Sequence, residues 1–201
     1  GILFDLGMSS WYLEGSGRGF SFLKKESLDM RYNPQNPTSA EKILNYWSRE
    51  EIEKILREFG EERFSKEISE KIVETRKIKP IENTFQLVEI VKKALPSRYL
   101  HQKINPSTRT FQSLRIAVNN ELDNLQRALP QTLEVLERGG RLTIISFHSL
   151  EDRIVKNFFR EQANNNLLKI ITKKPITPAD EEIRRNPRSR SAKLRAAVKI
   201  V

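Results

Sequence analysis

Apolar residues along this chain fall into two rhythms. From about residue 38 to 96 they recur at the roughly 3.6-residue period of a helix. Ile52, Ile55, Leu56 and Phe59 form one stripe, closed by Gly60. Phe64, Ile68 and Ile72 form a second. It stops before Pro80, because the residue ahead of a proline is pushed out of helical geometry. Leu87, Ile90, Val91 and Ala94 form a third, ending at Pro96. Thr38-Ser39-Ala40-Glu41 and Ser48-Arg49-Glu50-Glu51 fit the capping box, in which a hydroxyl and a carboxylate each satisfy an amide that the first helical turn leaves unpaired. Together these features predict a compact all-helical unit of roughly 60 residues.

The flanking segments read differently. Ile2 to Leu6 is a short apolar run containing Asp5 and followed by Gly7, the pattern of a buried parallel strand whose C-terminal end opens into a site. A buried strand so near residue 1 needs neighbours on both sides, so the chain is expected to be a portion of something longer, cut at a strand. Phe111, Leu114, Val118, Leu122, Leu125 and Leu129 stripe one long helix from Thr108, which Pro130 kinks or restarts and Gly139-Gly140 ends. Leu142 to Phe147 is an apolar strand, followed by a helix with Ile154, Val155, Phe158 and Phe159 on one face. Leu167 to Ile171 is a short strand. Leu194, Ala196, Val198 and Ile200 alternate with Arg195 and Lys199, a period-2 strand whose wetter face carries the two cations. The order predicts an α/β sheet with the helical unit inserted after its first strand.

Composition narrows the function. Leu, Ile, Val and Phe exceed the roughly one-fifth below which a charged chain stays disordered, so the chain folds. The absence of cysteine excludes disulfide scaffolds and thiolate metal sites, and two histidines make no His-rich centre, so no metal is expected. No apolar run approaches the ~18 residues of a membrane span, and a cytoplasmic setting without membrane contact is expected. The net charge of +10 calls for a polyanionic partner, with nucleic acid first. That excess is local: residues 41 to 77 hold nine Lys/Arg against ten Asp/Glu, residues 173 to 195 eight against three.

Several short segments carry chemistry. Gly15-Ser16-Gly17-Arg18-Gly19 resembles a phosphate loop, but it neither follows its strand directly nor opens a helix, and a tight turn near a site suits it better. Asp5-Leu6-Gly7-Met8-Ser9-Ser10 places an acid, a glycine and two hydroxyls after a strand, which makes either a polar site or a capped turn. Ser146-Phe147-His148-Ser149-Leu150-Glu151-Asp152 repeats that design after the next long strand, with Ser149 capping the helix through Asp152. A hydrolase using Ser149 and His148 is conceivable from these residues, though no G-x-S-x-G elbow is present. Arg109 and Arg115 near a helix N-terminus oppose the helix dipole unless an anion is bound there. Arg184, Arg185, Arg188 and Arg190 form a basic loop suited to an RNA backbone.

Taken in order, these segments resemble the MraW (RsmH) methyltransferase family. The stretches that carry the resemblance are Asp5 to Ser10, Arg18-Gly19-Phe20-Ser21-Phe22, Leu28-Asp29-Met30-Arg31, Gly60-Glu61-Glu62-Arg63, Thr108 to Gln112, Arg115-Ile116, Gly139 to Leu142, Ser146 to Lys156 and Asn186-Pro187-Arg188. The resemblance implies a class I (Rossmann-like) methyltransferase sheet, with residues 1–32 and 108–201 in the sheet domain and 33–107 in an all-helical insertion that recognises substrate. It implies that the family's N-terminal strands are absent, and with them the glycine-rich cofactor loop, so these residues alone are expected to be inactive. The implied activity is transfer of a methyl group from S-adenosylmethionine to N4 of a decoding-centre cytosine in 16S ribosomal RNA, naked or in the assembling 30S subunit. A non-enzymatic RNA-binding module is the alternative. Asp5 and Tyr12 match the family's cofactor contacts, with tyrosine standing where glutamine is usual. Ser9, Ser10, Phe147 and His148 are the catalytic candidates. Arg31, Arg109, Arg115, Arg188 and Arg190 are the candidates for RNA contact. The oligomeric state is left open.

Overall fold

The computed structural model describes residues 1–100 and 105–201. The expected insertion, 33–107, therefore includes four positions, 101–104, outside the described residues. Strand β1 (Ile2–Asp5) leads into a short helix α1 (Ser10–Glu14). Helices α2 (Ala40–Tyr46), α3 (Arg49–Gly60), α4 (Ser65–Ile78), α5 (Thr84–Ala94), α6 (Ser97–Leu100) and α7 (Thr108–Asn119) follow. Then come α8 (Glu121–Val135), β2 (Arg141–Ser146), α9 (Ser149–Asn164), β3 (Leu168–Ile170), α10 (Asp180–Arg185), a 3-10 turn (Pro187–Ser191) and β4 (Lys193–Lys199).

The chain divides into two compact units, residues 1–8 with 121–201 and residues 9–120. The first holds a mixed four-stranded sheet in the order β1-β2-β4-β3. β1 runs parallel to β2, with Ile2 opposite Leu142 and Asp5 opposite Ile145. β4 is antiparallel to both β2 and β3. Leu129, Leu136, Phe158 and Phe159 close over Leu142, Ile144 and Ala197. Each such side chain contributes about 1.5–3 kcal/mol when fully buried. The parallel pairing of β1 matches the sequence pattern, but its burial on both faces does not: Ile2 and Phe4 lie against the core while Leu3 is 63% exposed.

The second unit is helical. α3 packs against α4 and α7, and α4 against α5. The Ser48–Glu51 capping box forms as read from sequence. The expected Thr38–Glu41 box does not form; Ser39 is the N-cap of α2 and accepts from the backbone amide of Lys42. Gly60 fixes the α3–α7 approach: a Cβ there would lie 2.8 Å from the Arg109 carbonyl oxygen.

The expected single helix from Thr108 is in fact two. α7 stops at Asn119, Asn120 takes a left-handed conformation (φ 49°), and α8 starts at Glu121. The side chain of Asn119 donates to the Met30 carbonyl and accepts from the Tyr32 amide, both at 2.8 Å. Asparagine tolerates the left-handed turn better than most residues, so a pair of them breaks a stripe that looks continuous. Pro130 does not end α8; it sits exposed within the helix. This break sets the division of the chain at 120/121, because α7 belongs with the helical unit. The insertion bounds of 33–107 are those that the family resemblance implies.

The last strand also differs from expectation. Arg195 is buried, not wet, and Lys199 folds inward so that its Nζ donates to the carbonyls of Leu133 and Leu136 at 2.7 Å each. Those carbonyls lie at the C-terminal end of α8, where a cation is favourable. No described helix is long and apolar enough to cross a membrane.

Candidate functional site

Within the sheet unit, the C-terminal ends of the parallel strands β1 and β2 lie side by side. Asp5 ends β1 opposite Ile145, and the amide of Leu6 still donates to the Ile145 carbonyl at 3.0 Å. Gly7 then turns the chain with φ 95°, a conformation that side-chain-bearing residues rarely adopt. A Cβ on Gly7 would lie 3.8 Å from the ring of Phe147, so the turn after β1 runs beside the residue after β2. The structure thus brings Asp5, Phe147 and His148 to one end of the sheet.

The α9 N-terminus begins at this end, and His148 is its N-cap. Its Nδ1 accepts from the Glu151 amide at 3.3 Å. One carboxylate oxygen of Glu151, Oε2, accepts from the amides of Phe147 (2.8 Å) and His148 (3.3 Å). This capping box replaces the expected one, in which Ser149 capped through Asp152. The swap follows from position: the chain enters the helix one residue earlier, and Glu151, only 3% exposed, is the acid that turns inward.

The box also fixes the state of the ring. An Nδ1 that accepts a hydrogen bond carries no proton, so in the neutral ring Nε2 is the protonated nitrogen. Nε2 is buried and lies 3.2 Å from Oε1 of Glu151 without the alignment of a hydrogen bond. Glu121, at the start of α8, completes a group whose polar atoms all lie within 4.8 Å of one another. In this tautomer Nε2 offers a hydrogen, not a lone pair, so His148 is a donor facing two carboxylates rather than a metal ligand. Both nitrogens face Glu151, which leaves neither as a base for Ser149 and removes the basis of a hydrolase.

One residue on, Asp152 binds Arg195 of β4 through two hydrogen bonds, Nε to Oδ1 at 2.7 Å and Nη2 to Oδ2 at 3.1 Å. Burial alone would raise the Asp152 carboxyl. The hydrogen bonds and charge of Arg195, with help from Lys193 and Lys156, instead hold it below the ordinary aspartate value. The pair ties the first turn of α9 to the sheet and so holds His148 in place. Pattern reading missed this clamp, because its partners lie 43 residues apart. The signal was a charged residue inside an otherwise apolar strand.

The other candidates belong to the helical unit. Ser9 takes the N-cap position of α1 but makes no side-chain cap hydrogen bond, and Ser10 follows it as the first helical residue. Tyr12 packs its ring against Phe20 and Tyr32, each at 4.9 Å between centroids. Arg31 is committed to a loop: it binds the Asp29 carboxylate and the carbonyls of Pro34 and Asn36. Arg109 is exposed and donates to the Glu61 carbonyl at 2.9 Å, while Arg115 is half-buried on α7. Arg188 and Arg190, in the sheet unit, are exposed on the 3-10 turn. None of these residues lines the cavity of about 850 Å³ beside α4 and α5, around Ile78, Phe85 and Lys93.

Residues 1–200 match the MraW methylase family. A ribosomal RNA small subunit methyltransferase H from Heliobacterium modesticaldum is 50% identical over all of this chain and 69% of its own length. The protein of that name from Leptospira interrogans is 52% identical over 97% of this chain and 58% of its own length. Its counterpart from Thermosipho melanesiensis is 53% identical over the whole chain and 67% of its own length. The chain thus spans between 58% and 69% of the length of these three proteins.

Proposed function

We propose that this chain, which belongs to the MraW methylase family, forms the substrate-orienting portion of an S-adenosylmethionine-dependent methyltransferase acting on N4 of a cytosine in 16S ribosomal RNA. The observation that carries the reading is the meeting of Asp5, Phe147 and His148 at the end of two parallel strands, with the His148 ring held in one tautomer. Ligands of α/β sheets bind at that end of the strands.

The exposed carboxylate of Asp5 and the sharp turn at Gly7 fit a ligand that brings hydroxyl or ammonium groups close to backbone. Asp5 would contact S-adenosylmethionine, and Tyr12 stands at the family's other cofactor position. When bound, that cofactor supplies an electrophilic methyl group. Cytosine N4 is a weak nucleophile, since its lone pair is delocalised into the ring. The protein's task is to hold the amino group and fix its approach. Ser9 and Ser10 supply oxygen acceptors for the amino hydrogens. Phe147 packs against the base, and the His148 ring, held by Glu151, positions Phe147. An unstacked base is required for this contact. Arg109, Arg188 and Arg190 meet the RNA backbone, with Arg31 and Arg115 shaping the surfaces around them. The substrate is 16S RNA, naked or within the assembling 30S subunit, which sets the reaction in the cytoplasm. The basic surface is what favours RNA over other substrates of methyl transfer.

The test is methyl transfer from radiolabelled S-adenosylmethionine to small-subunit RNA. It is run on these 201 residues and on a protein of full family length that contains them. The 201 residues alone are expected to be inactive, and the longer protein active. Asp5→Ala and His148→Ala should each cut the longer protein's rate by about 100-fold. Full activity in both variants would reject the site.

A further inference from the structure

Trp11 lies one residue beyond Ser10 and is 56% exposed, yet its indole is not loose. It meets the Tyr12 ring edge-on, with centroids 5.2 Å apart and planes at 74°. It also lies over Gly15: a Cβ on that glycine would fall 3.3 Å from both Cδ1 and Nε1 of the indole. Tyr12 is in turn wedged against Phe20 and Tyr32, whose rings stack at 5.4 Å and 7°, with Phe20 only 5% exposed. Four rings therefore form a graded cluster, buried at one end and open at Trp11. One helical turn along, at the end of α1, the Lys24 ammonium sits on the Glu14 carbonyl.

We propose that Trp11 is a stacking platform for a nucleobase of single-stranded RNA, beside the Ser9–Ser10 turn. This rests on the RNA methyltransferase reading and adds a binding residue to it. A flat, preorganised indole loses little side-chain freedom on binding, and every base presents a π-face to it. Lys24 retains two further N–H donors for a neighbouring phosphate. The combination of a stacking ring with a nearby cation is how single strands are held without base readout. The cation at the end of α1 favours a polyanionic single strand over an apolar protein partner.

The test uses a short, fluorescently labelled pyrimidine-rich RNA without cofactor, titrated against the chain by polarisation. Trp11→Ala should weaken binding about tenfold with an unchanged salt slope, and Trp11→Phe should stay within about twofold of the parent. An oligomer of abasic sugar-phosphate should bind the parent and Trp11→Ala alike. In Trp47→Phe, which leaves Trp11 as the sole tryptophan, RNA should quench the emission saturably. That last measurement does not depend on how well Trp11→Ala folds. Equal RNA affinity of the parent and Trp11→Ala, or an unquenched Trp11, would overturn the platform and leave the RNA reading standing. A parent chain that binds no RNA would overturn both.

Discussion

Two helices of this protein begin with the same hydrogen-bonding device in different surroundings. At α3, Ser48 accepts from the Glu51 amide and the Glu51 carboxylate accepts from the Ser48 amide at 2.7 Å. At α9, His148 and Glu151 make the same exchange. The first box faces solvent, and those hydrogen bonds hold the Glu51 carboxyl below its ordinary value. The second is buried at the same end of the sheet as Asp5 and is braced from β4 by Arg195 through Asp152. A serine suffices to start a helix. A histidine in that role is a weaker cap, so its presence at α9 points to what the ring does beyond capping.

The sharpest way to break this contrast is to remove the brace. Asp152→Ala leaves Arg195 buried and unpaired and should cost about 3 kcal/mol in urea unfolding. A cost near zero would mean that the clamp does not hold α9. His148→Ser keeps a good cap but removes the ring. It should lower methyl transfer in the full-length protein by about 100-fold while changing stability by only about 1 kcal/mol. Glu151→Ala strips the acceptor from the amides of Phe147 and His148, and about 2 kcal/mol should be lost. Ser48→Ala should cost about 1 kcal/mol by thermal melting, with methyl transfer intact.

The smallest effect is one of pH. Because the folded Asp152 value is depressed, its stabilisation is complete above the unfolded aspartate value, near 3.9. It is lost as pH falls through the lower folded value. Asp152→Asn should flatten the acid limb of a stability profile, and an unchanged limb would show that other carboxylates dominate it.

Much of the fold was legible because it is locally encoded. The stripes of α3, α4 and α5, the Ser48–Glu51 box and the four strands all rest on residues within a few positions of each other. Three of the errors share one cause. Asn119 ends α7 through bonds to Met30 and Tyr32, Arg195 is buried by Asp152, and Lys199 turns inward to α8. Each is a polar side chain satisfied by a partner dozens of residues away, which no local period reports. The candidate site shows the same division. Asp5 and His148 stood out as polar residues at strand ends, but the tautomer that Glu151 imposes and the ring that Gly15 supports needed coordinates.

The pairing of β1 with β2 has a consequence for synthesis. Ile2 faces Leu142, so all of residues 9–120 leave the ribosome after β1 and before β2, its partner in this sheet, exists. At about 5–20 residues per second, β1 waits roughly 7 to 28 s. The helical unit can finish folding in that interval, and translation speed through this stretch therefore sets how long β1 stays without β2.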